Sequence, residues 1–503
     1  MFENIVTENE FNFNILEKKM FSFICELGCS ILKTMLESLD TKIMNARDSK
    51  KFRHKGYKTN SIKTVLGLVQ YKRVLYEYKD EHGKIQNIFL LDTILNISEV
   101  GKMSSNLVEK ILSIAVETNS YRDAAAQIME TINLSISHEA VRNVVIKEGY
   151  KLLFKEQEEY NLMNKNKLTE GKKEIPVLFE EADGIWINLQ GKDREKQINR
   201  YEKLCKKQGK EYIKPKSVKS ELKLHVSYEG WKKDDKRHSL INKIYTTGFL
   251  SSKEIRHIRD CKIYQTYNTE KIEVRVMNGD GASWIDKMAT SETIRQKDNF
   301  HIHQEIMRDI TEDKHKRQIE RLIAESRYNE IPYFIEFLRY ECGGDEATIK
   351  KLNKLESYLS SGLPRFREVL ESQNRKLPEP PENIEYRDPG IMECQIFTVL
   401  SKRFKSGRMS FSKIGASCLA KICALKAENK GIIDTSKINV KVKEDLKKYK
   451  EEIEEKIEKT ILDKATENAE NKGKENDSKF ANQVLVIYNK ITKKEKIKVE
   501  RYL

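Results

Sequence analysis

The sequence lacks any run of apolar residues long enough to cross a membrane. A spanning helix needs about 18 or more consecutive apolar residues, and no stretch of this chain approaches that length. The N-terminal residues are acidic and lack the basic and apolar regions of a signal peptide. We therefore expect a cytoplasmic protein without a membrane partner.

The sequence also lacks any Cys-x-x-Cys pair, although it contains eight cysteines. Cysteines that are not arranged in such pairs are typical of reduced structural thiols in a cytoplasmic protein. Cys25 and Cys29 lie one helical turn apart. That spacing fits a metal site, but packing in an apolar core is the commoner reason for it.

Charge is abundant and unbalanced. The 503 residues include 93 Lys and Arg against 78 Asp and Glu, which gives a net charge of +15. This excess favours nucleic acid as a partner before an anionic membrane. A genome rich in A·T pairs raises the lysine content and would give the same excess without a function. The hydrophobic fraction of 38% still allows a sizeable core, and the length predicts roughly three domains.

The first part of the chain reads as a helix, a hairpin and a pair of helices. Apolar residues at helical spacing predict a helix over residues 12–46, followed by a basic linker. β-branched and aromatic residues then predict a hairpin between residues 65 and 91. We divide this part into an N-terminal helix and linker, 1–58, and a DNA-binding region, 59–150.

Residues 120–147 have the pattern of a helix-turn-helix. Ser120 and Asp123 form a capping box, and Ser137 can cap a second helix whose outward face is polar and basic. An ordinary helical hairpin gives the same pattern. If the unit binds double-stranded DNA, we expect three residues of the second helix to contact it: Arg142, Asn143 and Lys147.

From residue 175 the pattern changes to strands followed by helices, which predicts an α/β fold with a mixed sheet. Residues 304–376 read as helical and 377–389 as a proline-containing loop, and residues 426–503 form a charged C-terminal tail. The predicted strands cover residues 177–183, 221–228, 241–246, 272–277 and, as a short fifth strand, 300–303.

Three acids stand out by position. Asp183 and Asp280 each end a predicted strand beside a glycine, where bare backbone lets a metal approach, and Glu393 begins a helix. Phosphodiester chemistry uses carboxylates to hold two divalent metals about 4 Å apart, and Mg²⁺ prefers such oxygen ligands. Asp-Gly is also the commonest turn signal, so a plain turn is the alternative for either aspartate. Glu382 and Glu385 compete with Glu393 for the third position.

Several short motifs occur in a fixed order, and together they resemble the ISLre-type insertion-sequence transposases, a bacterial family related to the Mutator-like DDE transposases. The resemblance spans about residues 55–425. The motifs are Thr64-Val-Leu-Gly67, Tyr71-Lys-Arg73, Glu181-Ala-Asp-Gly184, Lys223-Leu-His-Val-Ser-Tyr-Glu-Gly-Trp231, Asn278-Gly-Asp-Gly-Ala-Ser-Trp284, Asp298-Asn-Phe-His301, Gly390-Ile-Met-Glu-Cys-Gln395, Ser401-Lys-Arg403 and Met409-Ser-Phe-Ser412.

The resemblance implies a role for each acid. Asp183, Asp280 and Glu393 would be the catalytic acids and the ligands of Mg²⁺ or Mn²⁺, while Asp298 and His301 match the family's Asp-x-x-His signature. It also implies a ribonuclease-H-like catalytic core, which we place at 175–303 and 377–425, with a helical insertion at 304–376.

His301 has two further interpretations from its residues alone. One is a zinc site with Asp298 and a cysteine such as Cys342, and the other is a hydrogen-bonded structural histidine. A basic cluster follows Glu393 and either grips DNA phosphates or forms a solvated face. Its predicted DNA contacts are Lys402, Arg403 and Lys405.

The function implied is a DDE transposase that cleaves DNA at the ends of its element and joins the 3′-hydroxyl to target DNA. The expected partners are terminal-repeat and target DNA, on which a homo-oligomer would assemble at the bacterial nucleoid. Two alternatives stay open, namely a non-catalytic DNA-binding protein derived from a transposase and a ribonuclease-H-like nuclease.

Overall fold

A computed structural model describes residues 13–429, except for residues 81, 96, 98–101, 133, 235, 236 and 408. The predicted charged tail beyond residue 429 lies outside the described residues. The described residues divide into two compact units, one that contains residues 13–114 and 120–141 and one that contains residues 115–119 and 142–429. In the part that the structure describes, no helix has both the length and the apolar character needed to cross a membrane.

The first unit begins with the predicted helix, α1 (Phe13–Ala46), which packs on a three-stranded antiparallel sheet. The predicted basic linker is wrong from residue 53 onward, because those residues form a strand that pairs along its length with the next one. Its polar face is exposed, so the strand shows no apolar signal. The remaining elements are β1 (Arg53–Thr64), β2 (Gly67–Lys79), β3 (Ile85–Ile88) and α2 (Leu90–Ile94).

Three helices follow and cover the predicted helix-turn-helix: α3 (Ser105–Glu117), α4 (Tyr121–Ile132) and α5 (His138–Asn164). Both predicted caps are present, since the hydroxyls of Ser120 and Ser137 accept hydrogen bonds from main-chain N–H groups three residues later. Ala124, Ile128 and Ile132 form the buried face of α4, whereas Met129 is 60% exposed.

The second unit contains a mixed sheet in which the strands lie in the order β10 (Thr293–Lys297), β9 (Val274–Gly279), β4 (Val177–Leu189), β5 (Lys219–Tyr228) and β8 (Ile244–Gly248). β4 runs antiparallel to β5, and β5 antiparallel to β8, whereas β9 and β10 are parallel to β4. The mixed α/β class is confirmed. The strands are β4 (Val177–Leu189), β5 (Lys219–Tyr228), β6 (Trp231–Asp234), β7 (Arg237–Leu240), β8 (Ile244–Gly248), β9 (Val274–Gly279), β10 (Thr293–Lys297) and β11 (Ser410–Phe411).

Helices surround this sheet and form a separate layer after β10. Residues 299–360 form four helices around a shared apolar core that includes Ile306, Ile335 and Leu355, within the predicted helical span of 304–376 apart from the first five residues. The helices are α6 (Gly191–Lys207), α7 (Ser252–Thr266), α8 (Ser283–Asp286), α9 (Asn299–Asp309), α10 (Asp313–Ala324), α11 (Ile331–Glu341), α12 (Glu346–Ser360) and α13 (Phe366–Ser372). Short 3₁₀ turns cover Thr269–Lys271 and Tyr328–Glu330.

The predicted helix at Glu393 is present and contains an irregular middle. It consists of α14 (Met392–Gln395), a π-helical segment (Ile396–Ser401) and α15 (Lys402–Phe404). The last described helix, α16 (Lys413–Ala427), is buried along most of its length and packs on β8.

Candidate active site

Two of the predicted acids follow matched positions on neighbouring parallel strands. β4 and β9 pair as far as Ala182 and Gly279, and the next residues along the chain are Asp183 and Asp280. A β-carbon on Gly279 would come within 3.1 Å of the main-chain oxygen of Ala182, so glycine permits this close pairing. The strand register therefore brings together two carboxylates that are distant in the sequence.

Asp183 lies inside β4, which continues to Leu189, so the prediction that this strand ends at residue 183 is wrong. β5 pairs with one edge of β4 throughout this region. The other edge pairs with β9 up to Ala182 and with β11 only from Asn188. Asp183 thus stands where the second edge of β4 opens, which leaves room for other groups to approach.

The Asp280 carboxylate stabilises its own turn. Its Oδ1 accepts a hydrogen bond of 2.7 Å from the Ala282 N–H, and Gly281 has a positive φ of 85°. A β-carbon on Gly281 would lie 2.7 Å from Lys297 Cε. The Tyr358 hydroxyl donates a 2.9 Å hydrogen bond to the main-chain oxygen of Asp280. The turn and the ligand interpretations of this residue are therefore compatible.

Asp298 and His301 begin a helix, so the predicted strand at 300–303 is wrong. The Asp298 carboxylate caps α9 by accepting a 2.8 Å hydrogen bond from the Phe300 N–H. This cap places His301 in the first turn of the helix. His303 lies further along, is exposed, and contacts Glu320 on α10.

Glu393 lies on α14, and its side chain is 49% exposed. Glu382 and Glu385 are the alternatives to Glu393 as the third acid. Glu385 is held by main-chain hydrogen bonds with Trp231, and its carboxylate lies 3.2 Å from His238. Glu382 lies on an exposed loop. Among these three glutamates, only Glu393 joins the ligand group described next.

One potential ligand atom from each of Asp183, His301 and Glu393 lies within 4.8 Å of the other two. His301 Nε2 is 3.7 Å from Glu393 Oε1, and its Nδ1 is 3.7 Å from Asp298 Oδ1. Asp280 borders this group, since its charge acts on both Asp183 and His301. Two carboxylates and an imidazole thus converge from three segments of the chain, and Asp280 follows the end of β9 on the neighbouring strand.

The electrostatics of the group are those of crowded carboxylates. Burial and, to a smaller extent, the charges of Asp280 and Glu393 raise the pKa of Asp183 to about 6. The Asp298 carboxylate raises the pKa of His301, with smaller contributions from Asp183 and Asp280. A divalent cation among these groups would remove the repulsion between the acids.

A buried hydrogen-bond network supports the group from behind. The Glu181 carboxylate is fully buried and accepts hydrogen bonds from the Tyr228 hydroxyl (2.6 Å) and the Asn278 amide (2.9 Å). Asn278 also donates to Asp298 Oδ2 at 3.0 Å. The N–H groups of Gly390 and Ile391, just before Glu393, complete the set by donating to Glu181 at 3.2 and 3.1 Å.

Three side chains of the network precede a site residue by two or three positions. Glu181 precedes Asp183, Asn278 precedes Asp280, and Asp298 precedes His301. Burial raises the pKa of Glu181 to about 7, although the hydrogen bonds of Tyr228 and Asn278 oppose that rise. The network therefore ties together the four segments that present the site.

The sequence profile of one family, described as an uncharacterised protein family (UPF0236), matches residues 6–213 and 207–444. The chain belongs to the UPF0236 family. A relative from Streptococcus gallolyticus, named as the UPF0236 protein in the vanSb 3′ region, is 22% identical over 364 residues, which cover 69% of this chain and 70% of the relative. A UPF0236 protein from Caldanaerobacter subterraneus subsp. tengcongensis is 22% identical over 452 residues, which cover 84% of this chain and 83% of the relative.

The predicted DNA contacts of this UPF0236 chain differ in exposure. Asn143 and Lys147 are exposed on α5, and Arg142 is partly exposed with its guanidinium 3.5 Å from Asn143. Lys402 and Lys405 are exposed as well. These positions are compatible with the predicted contacts but do not test them.

Arg403 has a different environment from the one predicted. It is only 3% exposed, and its guanidinium donates hydrogen bonds to the main-chain oxygens of Ala115 (2.9 Å) and Asn119 (3.0 Å). A side chain buried in this way holds the protein's own backbone, so the predicted phosphate contact of Arg403 is not compatible with the structure. The zinc interpretation with Cys342 also fails to match the ligand group, because the Cys342 thiol contacts the main-chain oxygen of Arg339.

The supporting residues of this UPF0236 chain are not among the predicted site residues. Glu181 and Asn278 lie inside two of the motifs that carry the resemblance to the transposases, but the resemblance implies no role for them. One signal was available, since an acid inside an otherwise apolar strand must find hydrogen-bond donors. Tyr358 and Lys297 gave no such signal, because their contacts with the Asp280 turn depend on how α12 packs.

Proposed function

We propose that this chain is a DDE-type transposase that cleaves DNA at the ends of its element and joins the free 3′-hydroxyl to target DNA. The observation that carries the proposal is the convergence of Asp183, Glu393 and His301, with Asp280 at their border, on the open edge of β4. The acids come from separate segments of the chain, as the resemblance to the ISLre-type transposases implies.

The sheet topology supports a ribonuclease-H-like core. Three antiparallel strands, β8, β5 and β4, are followed across the sheet by two strands parallel to β4. This arrangement fits the catalytic fold that the resemblance implies. The helices of residues 299–372 enter the chain after β10 and before Glu393, where the helical insertion is expected.

The donor set fits a divalent metal. Carboxylate oxygens from Asp183, Asp280 and Glu393 match the preference of Mg²⁺ and Mn²⁺ for hard oxygen ligands. Bound there, the metal would activate the attacking oxygen and neutralise the leaving one. The chain's own contribution is positional, because β4, the Asp280 turn and α14 fix the acids before DNA arrives.

The net charge of +15 and the exposed side chains of Asn143, Lys147, Lys402 and Lys405 support binding to double-stranded DNA. A second line of support comes from a relative. One UPF0236 protein of Caldanaerobacter subterraneus subsp. tengcongensis is named by eleven locus labels. One protein encoded at many places in a genome is what an element that copies or moves itself leaves behind.

The test uses the full-length protein and a duplex that carries the inverted repeat flanking its gene. With Mg²⁺ or Mn²⁺, we expect cleavage at the repeat end and, with a supercoiled target plasmid, joined products. Cleavage at many sites without joining indicates the nuclease alternative. Sequence-selective binding without cleavage in either metal indicates the non-catalytic alternative, and the proposal is then wrong.

A further inference from the structure

We infer that His301 is itself a metal ligand, and that its imidazole makes the site prefer Mn²⁺, a first-row transition ion, over Mg²⁺. The predicted ligand set contains carboxylates only, with His301 as a nearby signature residue. The inference deepens the proposed function, and its meaning for catalysis rests on that function. The binding of the metal can be tested without DNA.

The first support is the direction of the imidazole. Nε2 faces Glu393 and Nδ1 faces Asp298, each at 3.7 Å from a carboxylate oxygen. A protein N–H···O hydrogen bond has a length of about 2.9 Å, so neither contact is one. An ion about 2.1 Å from each ligand can bridge atoms up to about 4.2 Å apart. The spacing of Nε2 and Glu393 therefore suits a shared cation, and the exposed Glu393 side chain can adjust to it.

The second support is the carboxylate behind the ring. Histidines that bind metals in proteins usually present their other nitrogen to a carboxylate, which fixes the orientation of the ring. Asp298 occupies this position and is only 4% exposed. Its own orientation is fixed by the Phe300 N–H at 2.8 Å and the Asn278 amide at 3.0 Å. His301 Nδ1 is buried and makes no hydrogen bond, so its facing partner is this carboxylate.

The third support is the mixed donor set. A structural histidine would satisfy its nitrogens with direct hydrogen bonds, whereas this ring lies between two carboxylates at longer range. Mg²⁺ prefers oxygen ligands and rarely accepts imidazole, while first-row transition ions bind both. Asp183, Glu393 and His301 together offer two oxygens and one nitrogen. Such a set discriminates against Mg²⁺, whereas three carboxylates alone would not.

The experiment is a titration of the full-length, metal-free protein with Mn²⁺, followed by pulsed electron paramagnetic resonance. We expect ¹⁴N modulation from a directly bound imidazole, and Mn²⁺ affinity at least about tenfold above that of Mg²⁺ in competition. In His301→Gln the nitrogen signal should disappear. The Mn²⁺ affinity should fall about 10- to 100-fold, while the Mg²⁺ affinity changes little because glutamine retains an oxygen donor.

His303→Gln is the matched control, because His303 lies on the same helix and contacts Glu320 instead. It should keep both the nitrogen signal and the metal preference. Asp298→Asn retains a capping oxygen and should weaken Mn²⁺ binding about tenfold by releasing the ring. It also serves as the second variant if His301→Gln fails to fold, which circular dichroism will show.

The inference is overturned if Mn²⁺ binds the wild-type protein without a nitrogen signal, or if Mn²⁺ and Mg²⁺ bind equally well. These outcomes differ from failure of the proposed function. DNA cleavage in Mg²⁺ with no nitrogen signal would leave the transposase standing without this ligand. An imidazole-bound Mn²⁺ in a protein that never cleaves DNA would leave the metal site standing without the transposase.

Discussion

Glu181 and Asn278 are joined by a 2.9 Å hydrogen bond across the neighbouring strands β4 and β9. Each precedes a predicted catalytic aspartate by two residues, so this bond fixes the register at the site. Asn278 uses the same amide nitrogen to reach Asp298 at 3.0 Å. The buried pair therefore couples the two aspartates to the start of α9.

Replacing Glu181 with Gln tests this coupling. Glu181 accepts from four donors, and glutamine puts an amide N–H₂ against some of them. We expect the free energy of unfolding to fall by about 1–3 kcal/mol. Mn²⁺ affinity should also fall, because the Gly390–Ile391 segment that leads into Glu393 loses its anchor. Urea denaturation and a metal titration measure the two effects.

The control is Glu202→Gln, which changes a partly exposed acid on α6 whose carboxylate lies 2.8 Å from the Lys206 ammonium group. Glu202→Gln should alter neither the free energy of unfolding nor the Mn²⁺ affinity. A Glu181→Gln protein with wild-type stability and wild-type Mn²⁺ affinity would show that the network has no positioning role.

Tyr358→Phe tests the support of the second aspartate from the helical layer. The change removes one hydroxyl, which donates to the main-chain oxygen of Asp280 at 2.9 Å. A hydrogen bond of this kind contributes about 0.5–1.5 kcal/mol. We expect the rate of DNA cleavage to fall by up to about tenfold with little change in DNA affinity. Tyr333→Phe, at a position that is 78% exposed on α11, should leave the rate unchanged.

The ionisation of the buried Glu180 carboxylate should make the free energy of unfolding depend on pH. It is buried, and Arg259 and Arg275 contact it at 3.2 and 2.7 Å. Burial opposes its ionisation, but the two arginines outweigh burial and lower the pKa of Glu180 below its usual value of 4.5. A lowered pKa means that the stabilisation is fully present above pH 4.5 and is lost as the pH falls towards the folded value.

Glu180→Gln removes one of the two carboxylates that contact the buried Arg259, the other being Asp260 at 2.8 Å, and should cost about 1.5–3 kcal/mol near neutral pH. The difference between wild type and variant should shrink as the pH falls below 4.5. Urea denaturation across pH 3–7, with Glu202→Gln as the control, measures the difference. Two curves that stay parallel over this range would contradict the assignment.

The basic segment after Glu393 predicts two kinds of variant. Lys402→Ala with Lys405→Ala removes exposed charges, so DNA affinity should fall for all sequences and the salt slope should become shallower by about one unit per lost phosphate contact. Arg403→Ala instead removes buried hydrogen bonds to Ala115 and Asn119 and should lower the unfolding temperature. Fluorescence anisotropy at several salt concentrations and thermal melts distinguish them. Loss of DNA affinity in a fully stable Arg403→Ala protein would restore its predicted contact.

Local patterns predicted the elements whose signal lies in their own residues. The apolar spacing of α1 and the alternation of β5 placed both within a few residues of their observed ends. β1 was missed because its signal is its pairing with β2, which no local pattern reports. Residues 300–303 form a helix and not the predicted strand because Asp298 caps them, and aspartate is a common N-cap residue.

The residues of the site likewise divide into those with a local sequence signal and those that depend on strand pairing or helix packing. Asp183, Asp280 and Glu393 were selected from glycine neighbours, predicted element ends and the resemblance, and the structure brings Asp183 and Glu393 into one group with His301. The supporting residues depend on register and packing. Only the pairing of Glu181 with Asn278, and of α12 with the Asp280 turn, gives them a role.

The most direct test of the account is Asp280→Asn in a cleavage assay run beside a binding titration. Asparagine keeps the size and hydrogen-bonding oxygen of the side chain but removes the charge that a metal requires. On an end-labelled terminal-repeat duplex with Mg²⁺ or Mn²⁺, we expect cleavage to fall by orders of magnitude. DNA binding should persist, or strengthen slightly as repulsion of phosphate decreases. Undiminished cleavage by the Asp280→Asn protein would contradict the assignment of Asp280 as a catalytic metal ligand.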